Sequence, residues 1–138
     1  MWVRWVLAGD VVGFLEGAGA HCLDLIRGGV HFYAVFAPVP LQVFFVGLVV
    51  LDPLTVVLVG LARPEGVWPA SGVVVLDVLA NWCVNWPQVK EDPAVLPYPV
   101  GLLPITLFGL FVAASSAPLL RVMARARIGG APAGEAGG

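Results

Sequence analysis

Four long apolar stretches, separated by short segments rich in proline and glycine, constrain the fold of this chain more than any other feature. Crossing the roughly 30 Å hydrocarbon core of a bilayer takes about 20 helical residues. We therefore expect membrane-spanning helices at about 5–26, 41–62, 67–86 and 100–123. The breaks between them carry turn residues, namely RGG at 27–29 with APVP at 37–40, RPEG at 63–66, and PQVKEDPAVLPYP at 87–99. The sequence predicts an all-α integral membrane four-helix bundle, forming a single domain over 1–123, and a disordered cytoplasmic tail at 124–138.

Composition supports a membrane protein and argues against several other classes. Hydrophobic residues make up 59% of the 138 residues and charged residues only 12%, whereas soluble domains are typically about 25% charged. A soluble protein of this size could not bury so much apolar surface. There is no basic patch interleaved with aromatic residues, so we predict no nucleic-acid partner. The two cysteines have no metal-ligand spacing, and we predict neither a metal nor a cofactor.

The first stretch is the least apolar of the four, because it contains Asp10, Glu16, His21 and Asp24. The alternative to a span is a signal peptide over residues 1–20. Asp10 interrupts the apolar run, however, and no small-residue cleavage site follows it. We therefore expect a membrane span.

The distribution of arginine and lysine predicts the orientation of the bundle. With four spans, the N-terminus, the 63–66 loop and the C-terminal tail share one side. That side holds five arginines: Arg4, Arg63, Arg121, Arg125 and Arg127. The other side has only Arg27 and Lys90. Because cytoplasmic loops carry an excess of positive residues, we expect a multi-pass cell-membrane protein with both termini in the cytoplasm.

Polar residues recur along one face of the third span. Asp77, Asn81 and Asn85 are spaced four residues apart, which places them on one helix face. Asp77 should lie roughly 15 Å from the cytoplasmic end, near the bilayer centre. Asp52 falls at a similar depth in the second span, and Pro53 follows it. A charge at that depth costs about 2.5–3.5 kcal/mol on insertion scales, so both aspartates must face the bundle interior.

Further polar groups are expected in the outer half of the bundle. The first span has one stripe, made of Asp10, Gly13, Gly17, His21 and Asp24. Its GxxxG spacing allows close helix approach, Asp24 is placed to hold the His21 imidazole, and Glu16 points to a different neighbour. We predict an outward-facing polar cavity between the helices. Its predicted ligand-binding residues are Asp52, Asp77, Asn81, Asn85, His21, Asp24, Gln42 and Thr106.

Four spans with cytoplasmic termini, the aromatic and proline-rich first loop HFYAVFAPVP at 31–40, and the buried acids resemble the EXPERA superfamily. That group includes the emopamil-binding sterol isomerases and the sigma-2 receptor. The resemblance implies a membrane cavity in which carboxylates hold an amine or a cationic sterol intermediate, with Asp52-Pro53 matching the family's acid-then-proline second helix. This chain lacks that helix's glutamate and the isomerases' histidine. The sequence also resembles small uncharacterised four-span bacterial membrane proteins in VVLDPL, 49–54, and LPITLFGLF, 103–111.

Four functions are compatible with these patterns. The favoured one is binding of a lipidic or amine ligand from the membrane, because polar residues of three helices converge at one depth. The second is a small proton-coupled transporter subunit acting as a homo-oligomer, with Asp52 or Asp77 as proton carrier. The third is a structural protein in which the polar stripe only bonds helices together. The fourth is an enzyme acting on lipid, for which we predict no catalytic residue because no nucleophile–base pair is evident.

Overall fold

Four long helices make up most of the molecule. The computed structural model describes residues 1–61, 64–98 and 101–129. The helices are α1 (Trp2–Gly28), α2 (Val39–Gly60), α3 (Pro64–Glu91) and α4 (Leu102–Gly129). Two 3₁₀ helices, Gly29–Val35 and Pro93–Val95, lie in the α1–α2 and α3–α4 connections. No strand occurs in these described ranges, so the predicted all-α class is confirmed, and each long helix is long and apolar enough to cross a membrane.

Three of the four helices, α1, α3 and α4, are longer than the expected spans. α3 begins at Pro64, where a proline loses no helical hydrogen bond because first-turn N–H groups are unpaired. It then continues through Pro87 to Glu91, into the segment expected to form a loop. α4 likewise continues to Gly129, into the segment expected to be a disordered tail. The rest of that tail, 130–138, and residues 62, 63, 99 and 100 lie outside the described residues.

The helices pack in chain order into a bundle. α1 packs on α2, α2 on α3 and α3 on α4, while the interface between α4 and α1 is much the smallest. The short connections make sequential helices antiparallel. One end of the bundle, the terminal end, therefore holds the start of α1, the end of α4, the end of α2 and the start of α3. The opposite end, the loop end, holds the two 3₁₀ helices.

Buried apolar side chains form three layers along the bundle axis. The terminal-end layer consists of Val67, Leu119 and Met123. The middle layer consists of Phe14, Val59, Ala70, Val74 and Val112. The loop-end layer consists of Tyr33, Ala37, Phe45, Leu48 and Ala80. Because residues distant in sequence meet in each layer, these contacts set how the four helices sit against one another.

The surface of the bundle is apolar, while several polar groups lie inside. Exposed large hydrophobic residues occur on every helix and include Leu15, Ile26, Val43, Val50, Leu76, Leu79, Leu107 and Leu110. The buried polar residues are Asp10, His21, Asp52, Thr55, Asp77 and Ser116. Soluble proteins show the opposite arrangement, with ionisable groups at the surface. Such a surface is suited to contact with hydrocarbon.

Candidate functional site

A cavity of about 390 Å³ lies between the middle and loop-end layers. Side chains from all four helices and from the first 3₁₀ helix line it. Its polar lining residues are Glu16, His21, Asp24, Tyr33, Asp52, Asp77, Asn81 and Asn85. Its large apolar lining residues are Phe14, Phe36, Phe45, Val74, Val84, Ile105 and Phe108. This volume is in the range of sites that hold small organic molecules.

Asp52 and Asp77 line the cavity from neighbouring helices, α2 and α3. Their side chains are only 3% and 8% exposed, and both residues line the same cavity. The Asp77 carboxyl accepts a hydrogen bond from Asn81 Nδ2 at 2.9 Å. The Asp52 carboxyl has no hydrogen bond to any residue that the structure describes. Asp52 therefore presents a buried carboxyl group whose hydrogen-bonding capacity the described residues leave unused.

Glycine residues of α1 make room for side chains of two other helices. A Cβ atom at Gly17 would lie 2.9 Å from Asp52 Oδ2, so the Asp52 carboxyl packs directly against the α1 backbone. Gly13 instead lies under the ring of Phe108 from α4. The GxxxG spacing thus serves contacts with α2 and with α4, rather than one close helix pair.

The asparagines of α3 form a ladder along their own helix. Asn81 Nδ2 donates to the Asp77 backbone oxygen at 3.0 Å as well as to the Asp77 carboxyl, and Asn85 Nδ2 donates to the Asn81 backbone oxygen at 2.9 Å. Neither amide bonds to a residue of another helix within the described ranges. This stripe therefore lines the cavity without joining helices to one another.

Tyr33 connects His21 to Asp24 at the loop end of the cavity. The Tyr33 hydroxyl donates to Asp24 Oδ2 at 3.1 Å and lies 2.9 Å from His21 Nδ1. Because the hydroxyl has one proton, it accepts from His21, which places a proton on Nδ1 and leaves Nε2 without a partner in the described structure. The His21 ring also stacks on Phe45, with ring centroids 6.0 Å apart. The spacing of His21 and Asp24 predicts that the carboxylate holds the imidazole directly, whereas Tyr33, a residue outside the predicted site, bonds to both.

Two residues of the predicted site do not line the cavity. Gln42 Nε2 donates to the Ala37 backbone oxygen at 2.7 Å, which braces the start of α2. The Thr106 hydroxyl donates to the Leu102 oxygen at 2.6 Å and accepts from Trp82 Nε1 at 2.9 Å. Thr106 therefore joins α4 to α3. The other six predicted residues, His21, Asp24, Asp52, Asp77, Asn81 and Asn85, all line the cavity.

Two further acids of α1, Asp10 and Glu16, lie outside the predicted ligand-binding set. Glu16, expected to point to another neighbour, lines the cavity and is exposed. Asp10 is 4% exposed and lies on the terminal side of the cavity, and its Oδ1 has no hydrogen-bond partner among the described residues. Phe14, one turn further along α1, forms an edge-to-face pair with Phe108, with centroids 5.3 Å apart, and both rings line the cavity. The α1 stripe predicts that Asp10 faces the bundle interior, whereas Glu16 lies off that stripe and no pattern in the sequence places it in the cavity lining.

The charge of the cavity lining is acidic. Four carboxyl groups and one imidazole line it, and no lysine or arginine of the described chain does so. Within the same ranges, no group of three His, Cys, Asp or Glu side chains is placed to hold a metal ion. The arrangement can hold a cation against carboxylates and aromatic rings. Comparisons of this chain with models of protein families, with curated proteins and with solved structures found no match.

Proposed function

We propose that this chain is a multi-pass cell-membrane protein with cytoplasmic termini, whose outward-facing cavity binds a lipidic or amphiphilic amine. Insertion is supported by four apolar helices and by their exposed hydrophobic surface. Orientation is supported by the exposed arginines Arg4, Arg121 and Arg125 near the terminal end. Since positive residues favour the cytoplasmic side, the loop end and the cavity face outward.

The ligand proposal rests on the surroundings of Asp52. Its carboxyl is nearly fully buried, lines the cavity and has no hydrogen-bond partner among the described residues. A buried polar group without a partner is energetically costly. A bound ammonium group would supply the missing partner, with Asp77 beside it as a second acceptor.

The rest of the lining favours an amine with an apolar body. Aromatic rings of Phe14, Phe45 and Phe108 line the same cavity as the carboxyl groups, and such rings attract cations at their faces. No lysine or arginine of the described chain lines the cavity, so the four carboxyl groups disfavour an anionic ligand. The partner-free Nε2 of His21 is a further polar atom available to orient the ligand.

The resemblance to the EXPERA superfamily supports the same class of ligand. In that group a membrane cavity uses carboxylates to hold an amine. Asp52 and Pro53 match its acid-then-proline helix, and Pro53 lies inside α2. The departures from that family noted above favour ligand binding over sterol isomerisation.

Replacing Asp52 with Asn tests this proposal. A charge-assisted hydrogen bond contributes about 1.5–3 kcal/mol, so Asp52→Asn should raise the Kd for dodecylamine about ten- to a hundredfold. Binding would be measured by calorimetry on purified protein in lipid nanodiscs. Glu91→Gln, which removes an exposed acid outside the cavity, should leave the Kd unchanged. Equal Kd values for Asp52→Asn and the unmodified protein would exclude Asp52 as the ligand partner.

A proton-coupled transporter is the second candidate, and the burial of Asp10 favours it. This buried acid lies about 10 Å from Gly17 along α1, on the terminal side of the Phe14–Phe108 pair. In a transporter, such an acid would be a second proton-binding site, on the terminal side of the cavity. Amine flux into proteoliposomes should then follow an imposed pH gradient, and Asp10→Asn should abolish that dependence. Flux that is absent, or that ignores the gradient, would leave simple binding as the function.

A further inference from the structure

We propose that the ligand enters the cavity sideways from the bilayer, between α1 and α4, and that Glu16 is the charged group that receives it. This proposal rests on the amine-binding function proposed above. It adds a second binding position, at the edge of the cavity, and it narrows the ligand to a cationic amphiphile.

The interface between α1 and α4 is closed at the terminal side and open beside the cavity. Leu7 of α1 packs near the terminal-end layer, which contains Leu119 and Met123 of α4. Further along, Gly9 lies against the ring of Phe111, and Gly13 lies under the ring of Phe108. Beyond Phe108, towards the loop end, residues of both helices line the cavity. The α1–α4 interface is small, and at the level of the cavity both helices contribute lining residues.

Exposed lining residues mark where the cavity meets the surface. Glu16 of α1 lines the cavity and is exposed, and it lies just beyond Gly13 towards the loop end. Pro104 of α4, which precedes Phe108 by about one turn, is also exposed and lines the cavity. Because α1 and α4 are antiparallel, Glu16 and Pro104 lie on the two sides of the same opening. The small residue Ala20 continues the α1 side.

The position of Glu16 along its helix supports an opening. It lies near the midpoint of α1, between exposed apolar neighbours such as Leu15. It has no hydrogen bond or ion pair to any other described residue. A carboxyl group facing hydrocarbon at this depth is energetically costly, whereas one at the edge of a polar cavity contacts water or a ligand cation.

The acids then form a path from the surface to the interior. A cation at Glu16 next meets the carboxyl pair of Asp52 and Asp77, with the Phe108 ring below it. An amphiphile dissolved in the bilayer can bring its head group to Glu16 while its alkyl chain stays between α1 and α4. A small hydrophilic cation without a chain does not concentrate at this depth in the membrane.

Binding kinetics in lipid nanodiscs test the proposal, with radiolabelled dodecyltrimethylammonium as the probe. Charges at the edge of a site mainly change association, whereas buried partners mainly change dissociation. Glu16→Gln should therefore slow association about tenfold, while Asp52→Asn should mainly speed dissociation. Ala20→Trp, which narrows the opening without changing charge, should also slow association. Glu91→Gln should change neither rate, and tetramethylammonium, which lacks the chain, should bind far more slowly.

The outcomes distinguish a failure of the lateral opening from a failure of the amine-binding function on which it rests. If Asp52→Asn speeds dissociation but Glu16→Gln and Ala20→Trp leave association unchanged, the lateral opening is wrong and the amine site stands. If Asp52→Asn has no effect on either rate, the amine site itself is wrong. If Glu16→Gln changes the oligomeric state in native mass spectrometry while association is unchanged, Glu16 contacts a second copy of the chain, which also overturns the opening.

Discussion

At the scale of single residues, the polar groups of the cavity differ in how much of their hydrogen bonding the chain itself satisfies. Asp77 receives a hydrogen bond from Asn81, and His21 is paired with Tyr33. Asp52, equally buried, receives none from the described residues. A partner from outside the chain therefore stabilises Asp52 more than the other two. This difference is why the ligand proposal depends on Asp52.

Tyr33→Phe tests the role of the single hydroxyl that joins Asp24 to His21. The substitution leaves both partners without their hydrogen bond in a largely buried place, and we expect a loss of about 1–3 kcal/mol in the free energy of unfolding. Denaturation in mild detergent, followed by circular dichroism, would measure it.

The matched control for this substitution is Tyr98→Phe. Tyr98 is 57% exposed, so removing its hydroxyl should leave stability unchanged. Equal stability of the two variants would contradict the hydrogen-bonded chain. A ¹⁵N spectrum of His21 offers a second readout, because the Nδ1–H form should dominate only while Tyr33 is present.

At the scale of helices, a hydroxyl side chain follows each of three prolines by two residues. Thr55, Ser71 and Thr106 each lie two residues after a proline and donate to the carbonyl four residues before them, at 2.8, 3.0 and 2.6 Å. Such bonds satisfy the hydroxyl within the helix, which hydrocarbon surroundings require. Ser71 also bonds to Ser116 at 2.6 Å. Within the described residues, the Ser71–Ser116 and Trp82–Thr106 hydrogen bonds therefore join α3 to α4, and the asparagine stripe does not.

Helix α1 offers a matched pair of glycines for a test at the same scale. A methyl group at Gly17 would meet the Asp52 carboxyl, the end of a flexible side chain, whereas one at Gly19 would meet nothing within 4 Å. Gly17→Ala should therefore displace the carboxyl and raise the Kd for dodecylamine severalfold, with little loss of stability. Gly19→Ala should leave the Kd unchanged and stabilise the helix by up to about 1 kcal/mol. Identical Kd values for the two variants would contradict the placement of Asp52 against Gly17.

At the scale of the whole molecule, the bundle has an apolar surface and buries several polar groups. Three apolar layers hold the helices together, and the cavity occupies the space between two of them. Arginines are concentrated near the terminal end, whereas Arg27 and Lys90 lie near the loop end. This asymmetry is the basis for the proposed orientation.

Cysteine labelling in intact cells tests that orientation. In a chain with Cys22→Ala and Cys83→Ala, Gln88→Cys lies near the loop end and Ala124→Cys near the terminal end, and both positions are exposed. A membrane-impermeant maleimide should label Gln88→Cys from outside and label Ala124→Cys only after the cells are permeabilised. The reverse pattern would place the cavity on the cytoplasmic side, and labelling of both positions from outside would contradict a four-span topology.

The sequence by itself determined the helical class, the number of long helices and the polar face of α3. These are local properties, because the length of an apolar run and a four-residue spacing act within one helix. They were enough to identify six of the residues that line the cavity, among them Asp52 and Asp77.

Only the tertiary structure decided which of the candidate groups meet. The rotation of α4 places Thr106 against Trp82. The path of the α1–α2 connection places Tyr33 between Asp24 and His21. The small α1–α4 interface leaves Glu16 exposed in the cavity lining. Each of these outcomes depends on how one helix is turned against another. Packing of side chains that are distant in sequence sets that rotation, and no local pattern encodes it.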